Sequence, residues 1–271
     1  MKGFGAPGAR LALATLAGVL LLAVVVPWFA PAPDAILDPV GGRLLAPSAA
    51  HLLGTDALSR DVLARLARGG AISLTIGLTA ALCSGLLGAL LGLTAGAVGG
   101  WTDTLLMRGI DALGTIPRAF VLLFAAAAWE GMPAWAFTLL LGLTGWYAVA
   151  RIVRGEAARL MATDALAAAR ALGAGRARII FRHLLPNVTG QLAVATALGV
   201  GEVMLLEAGL SFLGAGLRPP TASWGVMIHD GKDALLTAPW LTLAPGLALT
   251  LVVLAVNRLG DAVRDAADPR A

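Results

Sequence analysis

Charge is what this sequence has least of. Only 13% of its 271 residues are Asp, Glu, Lys or Arg, against about 25% in an ordinary soluble domain. That deficit argues against a soluble enzyme, a disordered chain and a charge-laced coiled coil. Cysteine occurs once, as Cys83, so neither a disulfide framework nor a thiolate zinc site can be built within the chain. The phosphate-cradling pattern GxxxxGK[ST] is missing, which excludes that type of ATP-hydrolysing loop. No nucleophile beside a base and no pair of loop carboxylates stands out as a catalytic set. The net charge is only +4, and 18 of the 20 basic residues are Arg. In so apolar a chain this excess points to loops on one side of a membrane rather than to a nucleic-acid groove.

What the sequence has instead is long apolar runs. Stretches free of Lys, Arg, Asp and Glu cover 11–33, 69–102, 131–150, 183–201 and 234–257. A sixth apolar segment, 104–129, is interrupted by Asp111 and Arg118. A hydrocarbon core of about 30 Å takes about 20 helical residues to cross. The reading is an all-α membrane protein with six spans, at 11–29, 72–97, 105–128, 133–152, 189–212 and 238–257. Pro117, inside the third, predicts a kink. A cleaved signal peptide is the alternative for the first run. Its length and Pro31, after Ala30, argue against cleavage.

Thirteen Lys and Arg fall on one side of these spans and six on the other. The richer side holds Lys2, Arg10, Arg108, seven arginines within 151–188, and Arg258, Arg264 and Arg270. The positive-inside rule puts that side, both termini included, in the cytoplasm. Residues 31–70 and 213–237 are then external.

The loop 153–188 carries the strongest chemical signal. Thr163 or Asp164 can cap a helix start, Ala165 to Leu172 favour helix, and Gly173 is a natural stop. A helix of about two turns is expected, with Ala167, Ala168, Ala169 and Ala171 leaving its surface bare. Such a surface admits close approach by another protein, although an Ala-rich surface helix reads equally well from spacing alone.

Here a resemblance becomes specific. Ala168-Ala169-Arg170-Ala171-Leu172-Gly173-Ala174, followed by Leu185-Pro186-Asn187, resembles the EAA loop of ABC importer permeases, in their dipeptide/oligopeptide/nickel branch. His51-Leu52-Leu53-Gly54-Thr55-Asp56, Gly99-Gly100-Trp101, Leu210-Ser211-Phe212-Leu213-Gly214, Ser223-Trp224-Gly225 and Leu259-Gly260-Asp261 follow the family's order. The match covers about 51–270. Where the family has its glutamate this chain has Ala167, which puts a specific Glu contact in doubt, though not docking itself.

The resemblance implies a type I ABC importer permease in a bacterial inner membrane. It divides the chain into an N-terminal helix and external segment, 1–70, and a permease core, 71–271. It implies a second permease subunit, two ATPase subunits or domains that hold ATP and Mg, an external substrate-binding protein and surrounding lipid. It implies no cofactor in this chain. Asp164, Ala167 to Arg170, Leu172 to Ala174, Leu185 and Pro186 would form the ATPase-coupling element. Peptides, nickel chelates, opines and glutathione are all substrates that the resemblance leaves open.

Other polar residues have two readings each. Arg60, Asp61 and Arg65 read as one helical stretch, with 61 and 65 an i,i+4 pair. With Trp224 they suit either a binding-protein dock and outer gate or amphipathic cover over the span ends. Trp224, Trp240, Trp101 and Trp28 fall near span ends, as interfacial anchors do. Asp111, Arg118, Glu202 and Glu207 are candidates for the translocation path or for structural pairing, since intramembrane charge is expensive unless partnered. Glu202 or Glu207 would also suit a proton relay in an ion-coupled carrier, but no Lys or His on another span completes one. His51, His183 and His229 fall on opposite sides of the membrane in this topology, so no three-histidine metal site is expected.

Overall fold

A computed structural model describes residues 7–218 and 221–267. Lys2, Pro219, Pro220, Asp268, Pro269 and Arg270 lie outside them. The described residues contain no strand. Five helical stretches are long and apolar enough to cross a membrane, and a sixth candidate is a bent pair. The elements are α1 (Pro7–Phe29), α2 (Val62–Val98), α3 (Gly100–Gly114), α4 (Arg118–Ala128), α5 (Ala134–Leu143), α6 (Trp146–Met161), α7 (Asp164–Ala171), α8 (Arg176–Ile179), α9 (Leu185–Phe212), α10 (Trp224–Gly231) and α11 (Trp240–Ala267).

α2 starts ten residues before the expected span, because Asp61 caps it: the Ala64 N–H donates to Oδ1 at 2.9 Å. Its 37 residues reach about 55 Å at about 1.5 Å per residue, well beyond a bilayer core. The boundary drawn at residue 70 therefore falls inside a continuous helix. Gly99 (φ +65°) and Gly100 (φ +57°) turn the chain into α3, a left-handed pair that other residues rarely adopt.

The third span is broken rather than merely kinked. α3 and α4 meet at 73° across Thr115–Pro117. Pro117 has no N–H to give and sits at ψ 125°, outside the helical region. The fourth span is two helices, α5 and α6, interrupted at Thr144 and Gly145. Before α9, residues Ile180–Leu184 form a π turn in which the Leu185 N–H reaches back to the Ile180 carbonyl. The wide turn falls where Pro186, next in line, lacks the donor a regular helix needs.

α2 is the centre of the bundle. Gly88, Gly92 and Gly96 recur every four residues along the face against α6. A Cβ on Gly88 would sit 2.6 Å from the Val149 Cβ, and one on Gly96 2.6 Å from the Ala157 Cβ. Small residues at this spacing let two backbones touch, the main source of helix cohesion where lipid removes the hydrophobic drive. The opposite faces of α2 pack on α9 and α11 through Ala81, Val200, Met204 and Val252, and on α5 through Ile76, Ala80, Phe137 and Leu141. Leu78, Leu82, Leu86 and Leu90 point outward from it.

Trp224 departs from its expected interfacial position. It is buried, and its indole N–H donates to the Leu66 carbonyl at 2.9 Å. Trp101 and Trp28 stay exposed.

Candidate functional site: the α6–α9 loop and a line of ion pairs

The loop helix forms where the sequence expects it, as α7, Asp164–Ala171. Its N-cap is Thr163, with extended backbone (φ −79°, ψ 148°) but no capping hydrogen bond, because the Thr163 hydroxyl donates to the Leu160 carbonyl instead. Asp164 is thus the first helical residue, and Ala167 the fourth. A glutamate at 167 would be one residue too far on for a capping box, which needs the third position. Asp164 acts instead as a negative charge in the first turn, facing the helix dipole favourably.

The stop is a complete Schellman motif. Gly173 (φ +84°) donates to Arg170 O at 2.9 Å and Ala174 to Ala169 O at 3.0 Å. One side chain, Leu166, anchors the helix against Val153, Ile179, Leu184 and Val188. Arg170 turns back on the protein: its Nη2 donates to Met161 O at 3.0 Å and its Nε to Leu166 O at 3.3 Å. It caps the end of α6 with a cation, the favoured sign there. Leu185 is half-buried in the same cluster, and Pro186 opens α9.

What this leaves outward is Ala165, Ala167, Ala168 and Ala171, with Leu172 89% and Phe181 68% exposed. Two large apolar side chains beside a nearly bare helix form a surface suited to burial against another protein.

At the other end of the bundle, the residues expected to form a dock are mostly interior. Arg60, Asp61 and Arg65 are all buried. Arg60 precedes the helix, and the expected 61–65 pair does not form. Asp61 caps α2 and meets His51 Nδ1 at 2.9 Å. Arg65 instead bridges Asp56, at 2.7 Å, and Asp230 of α10, at 3.0 Å, while Arg60 Nε holds Asp56 at 2.7 Å. Trp224 is buried too. These four residues clamp segment 30–61 and α10 to the head of α2. On the same segment, the N–H groups of Gly41 and Val40 hold the Asp38 carboxyl below its ordinary range.

The four path candidates separate. Glu207 is 1% exposed, and its Oε1 accepts from the hydroxyls of Ser211, at 2.8 Å, and Ser223, at 2.7 Å. It staples α9 to the cap of α10. The others pair across helices. Asp111 meets Arg151 of α6 at 2.5 Å, and Arg118 meets Glu202 of α9 at 2.9 Å. A pair that the sequence did not suggest, Asp103 with Arg154, completes a line along α3 and α4. Its signal was a recurrence of charge about every two turns, at 103, 111 and 118, in an otherwise apolar segment. Likewise the Gly88/Gly92/Gly96 repeat was legible as a small-xxx-small pattern.

Comparison with known proteins fits this geometry. Residues 88–271 match the family described as binding-protein-dependent transport system inner membrane component. The chain belongs to that family. It is 36% identical over 260 residues, 95% of this chain and 83% of the other, to the oligopeptide transport system permease protein OppC of Haemophilus influenzae. It is 41% identical over 267 residues, 96% of this chain and 87% of the other, to a Brucella suis biovar 1 chain whose name assigns it to a peptide transport system as permease protein. The matched range holds α7, both arms of its loop, and the three-pair line. As a permease component of an inner-membrane transport system, the subunit moves solute and is not an enzyme. It works as one part of a larger assembly.

Proposed function

We propose that this permease imports di- or oligopeptides, or a related small solute, delivered by an external binding protein and driven by ATP. Two ATPase subunits or domains hold ATP and Mg, and a second, similar permease completes the path. Both termini lie in the cytoplasm, following the thirteen-to-six division of Lys and Arg. The names of the relatives support the peptide reading; the binding protein's ligand decides among peptide, nickel chelate, opine and glutathione.

One observation carries the coupling role: α7 is fixed from below by Leu166 and Arg170, yet bare above, with Leu172 and Phe181 exposed beside it. Docked in an ATPase cleft, this rigid peg passes the closure of the ATPases to α6 and to the start of α9. The spans then rock outward, solute enters from the binding protein, and hydrolysis resets the path. Ala168→Arg and Leu172→Arg should each release the ATPases while the permease folds and inserts normally. Co-purification of the ATPases with both variants, with unchanged ATP hydrolysis on adding loaded binding protein, would remove α7 from the contact.

A further inference from the structure

The line of ion pairs reaches the middle of the membrane. Glu202 stands ten residues before Phe212, the end of α9, or about 15 Å along the axis, half the depth of a bilayer core. The guanidinium that pairs with its carboxylate, that of Arg118, belongs to the first residue after the 73° break between α3 and α4. The two ends of this pair differ. Arg118 is mostly buried and held by three acceptors: Glu202 Oε1 at 2.9 Å, the Leu141 carbonyl at 2.6 Å and Thr144 Oγ1 at 3.1 Å. Gly145 makes room for it, since a Cβ there would lie 2.9 Å from its Nη2. Glu202 has Arg118 as its one polar partner among the described residues, and its side chain is 70% exposed. Both line a cavity of about 200 Å³ with Ser84 and Thr196.

A carboxylate this exposed at mid-depth cannot face hydrocarbon. Nor can the non-helical backbone at Thr115–Pro117, which is exposed in the chain and whose carbonyls need water or protein to satisfy them. From this depth Asp111–Arg151, also exposed, and Asp103–Arg154 continue the polar line toward the α7 end.

We propose that the Arg118–Glu202 pair is a solute-contact site at the midpoint of the translocation path, taking the carboxylate and the ammonium of a zwitterionic solute. Arg118 is the fixed cation and Glu202 the movable anion. With no solute they neutralise each other. A zwitterion opens the pair by replacing each partner at once. A lone cation would take Glu202 and strand Arg118, which is mostly buried, and that is unfavourable. The pair is therefore both a site for doubly charged solute ends and a barrier to lone cations. The inference rests on the permease assignment and not on the peptide reading.

The test uses the assembled transporter in vesicles, with Cys83→Ala and Glu202→Cys, so that the introduced thiol is the permease's one cysteine. The probes are two membrane-impermeant methanethiosulfonates, one carrying a sulfonate and one a trimethylammonium, their rates normalised to a free thiol. The expected result is labelling in the resting or the vanadate-trapped state, with the sulfonate favoured about fivefold by the fixed cation. Adding Arg118→Gln should abolish the preference. Thr196→Cys, which lines the same cavity and leaves the pair intact, serves if the Glu202 variant fails to assemble, and should be labelled in at least one state. Thiols unreactive from both sides in both states would mean a face covered by another subunit and overturn the proposal. Equal normalised rates at Glu202→Cys would overturn the part given to Arg118.

Discussion

Arg170 of α7 donates to the carbonyl of Met161, the last residue of α6, at 3.0 Å. The loop helix and a span are thus joined through one guanidinium, on a side chain otherwise free to be anywhere in the loop. α6 in turn carries Arg151 and Arg154, which grip α3. A chain of contacts thus runs from α7 through α6 to α3, the route by which we propose that motion of α7 is passed on.

Arg170→Ala should weaken that route without removing the docking face. Two carbonyls lose a charged donor, a local loss of about 1–3 kcal/mol. Hydrogen exchange across 162–172 should quicken, and solute moved per ATP should fall while the ATPases still bind. Arg170→Lys should recover only part, since an ammonium lacks the fork that reaches both carbonyls. Unchanged exchange and unchanged coupling in Arg170→Ala would dismiss the link.

Gly92→Leu should disrupt the α2–α6 contact, because a Cβ at 92 already meets the Ala150 carbonyl at 2.6 Å. Overpacking of this kind costs about 1–3 kcal/mol or more, visible as a lower melting temperature in detergent. Gly155→Ala is the control: open space surrounds that Cβ, and Ala in place of a mid-helix Gly should be neutral or stabilising by about 0.5–1 kcal/mol.

Arg65→Met should loosen segment 31–61. It removes one of the two cations that Asp56 and Asp230 share and leaves them Arg60 alone, so the loss should stay below the about 3–5 kcal/mol of a buried pair broken outright. Limited proteolysis should cut the segment faster, and assembly yield should drop. For the same reason reversing Arg60 and Arg65 to Glu is expected to damage the fold first, not binding-protein affinity. A double reversal with normal melting and a shifted binding-protein titration would show the opposite.

Topology can be read with single thiols in a Cys83→Ala background. Ala177→Cys, exposed on α8 just after α7, should react with impermeant reagents only from the cytoplasm. Leu236→Cys, at a position 98% exposed between α10 and α11, should react only from outside. The reversed pattern would invert the orientation, and import with it.

The amino-acid order by itself determined whatever depends on neighbours along the chain. Apolar runs of about twenty residues mark the spans because a helix satisfies its own backbone in lipid. Pro117 marked a kink where the third span in fact breaks, and Gly173 the end of α7, because both act through their own backbone geometry. The family was legible in Ala168 to Ala174 and Leu185-Pro186.

Polar partners were not legible in this way. Nothing local to Arg65 says that its second carboxylate is Asp230, 165 residues on, or that Glu207 will meet the hydroxyls of Ser211 and Ser223. An i,i+4 rule pointed Arg65 at Asp61, but the helix begins between Arg60 and Arg65, so Asp61 spends its oxygen on the cap. Arg60, Arg65 and Trp224 are buried for one physical reason. A charge or an indole N–H in a membrane bundle goes where a partner is folded to meet it, and only the packing of α2 against α9, α10 and the 30–61 segment creates those partners.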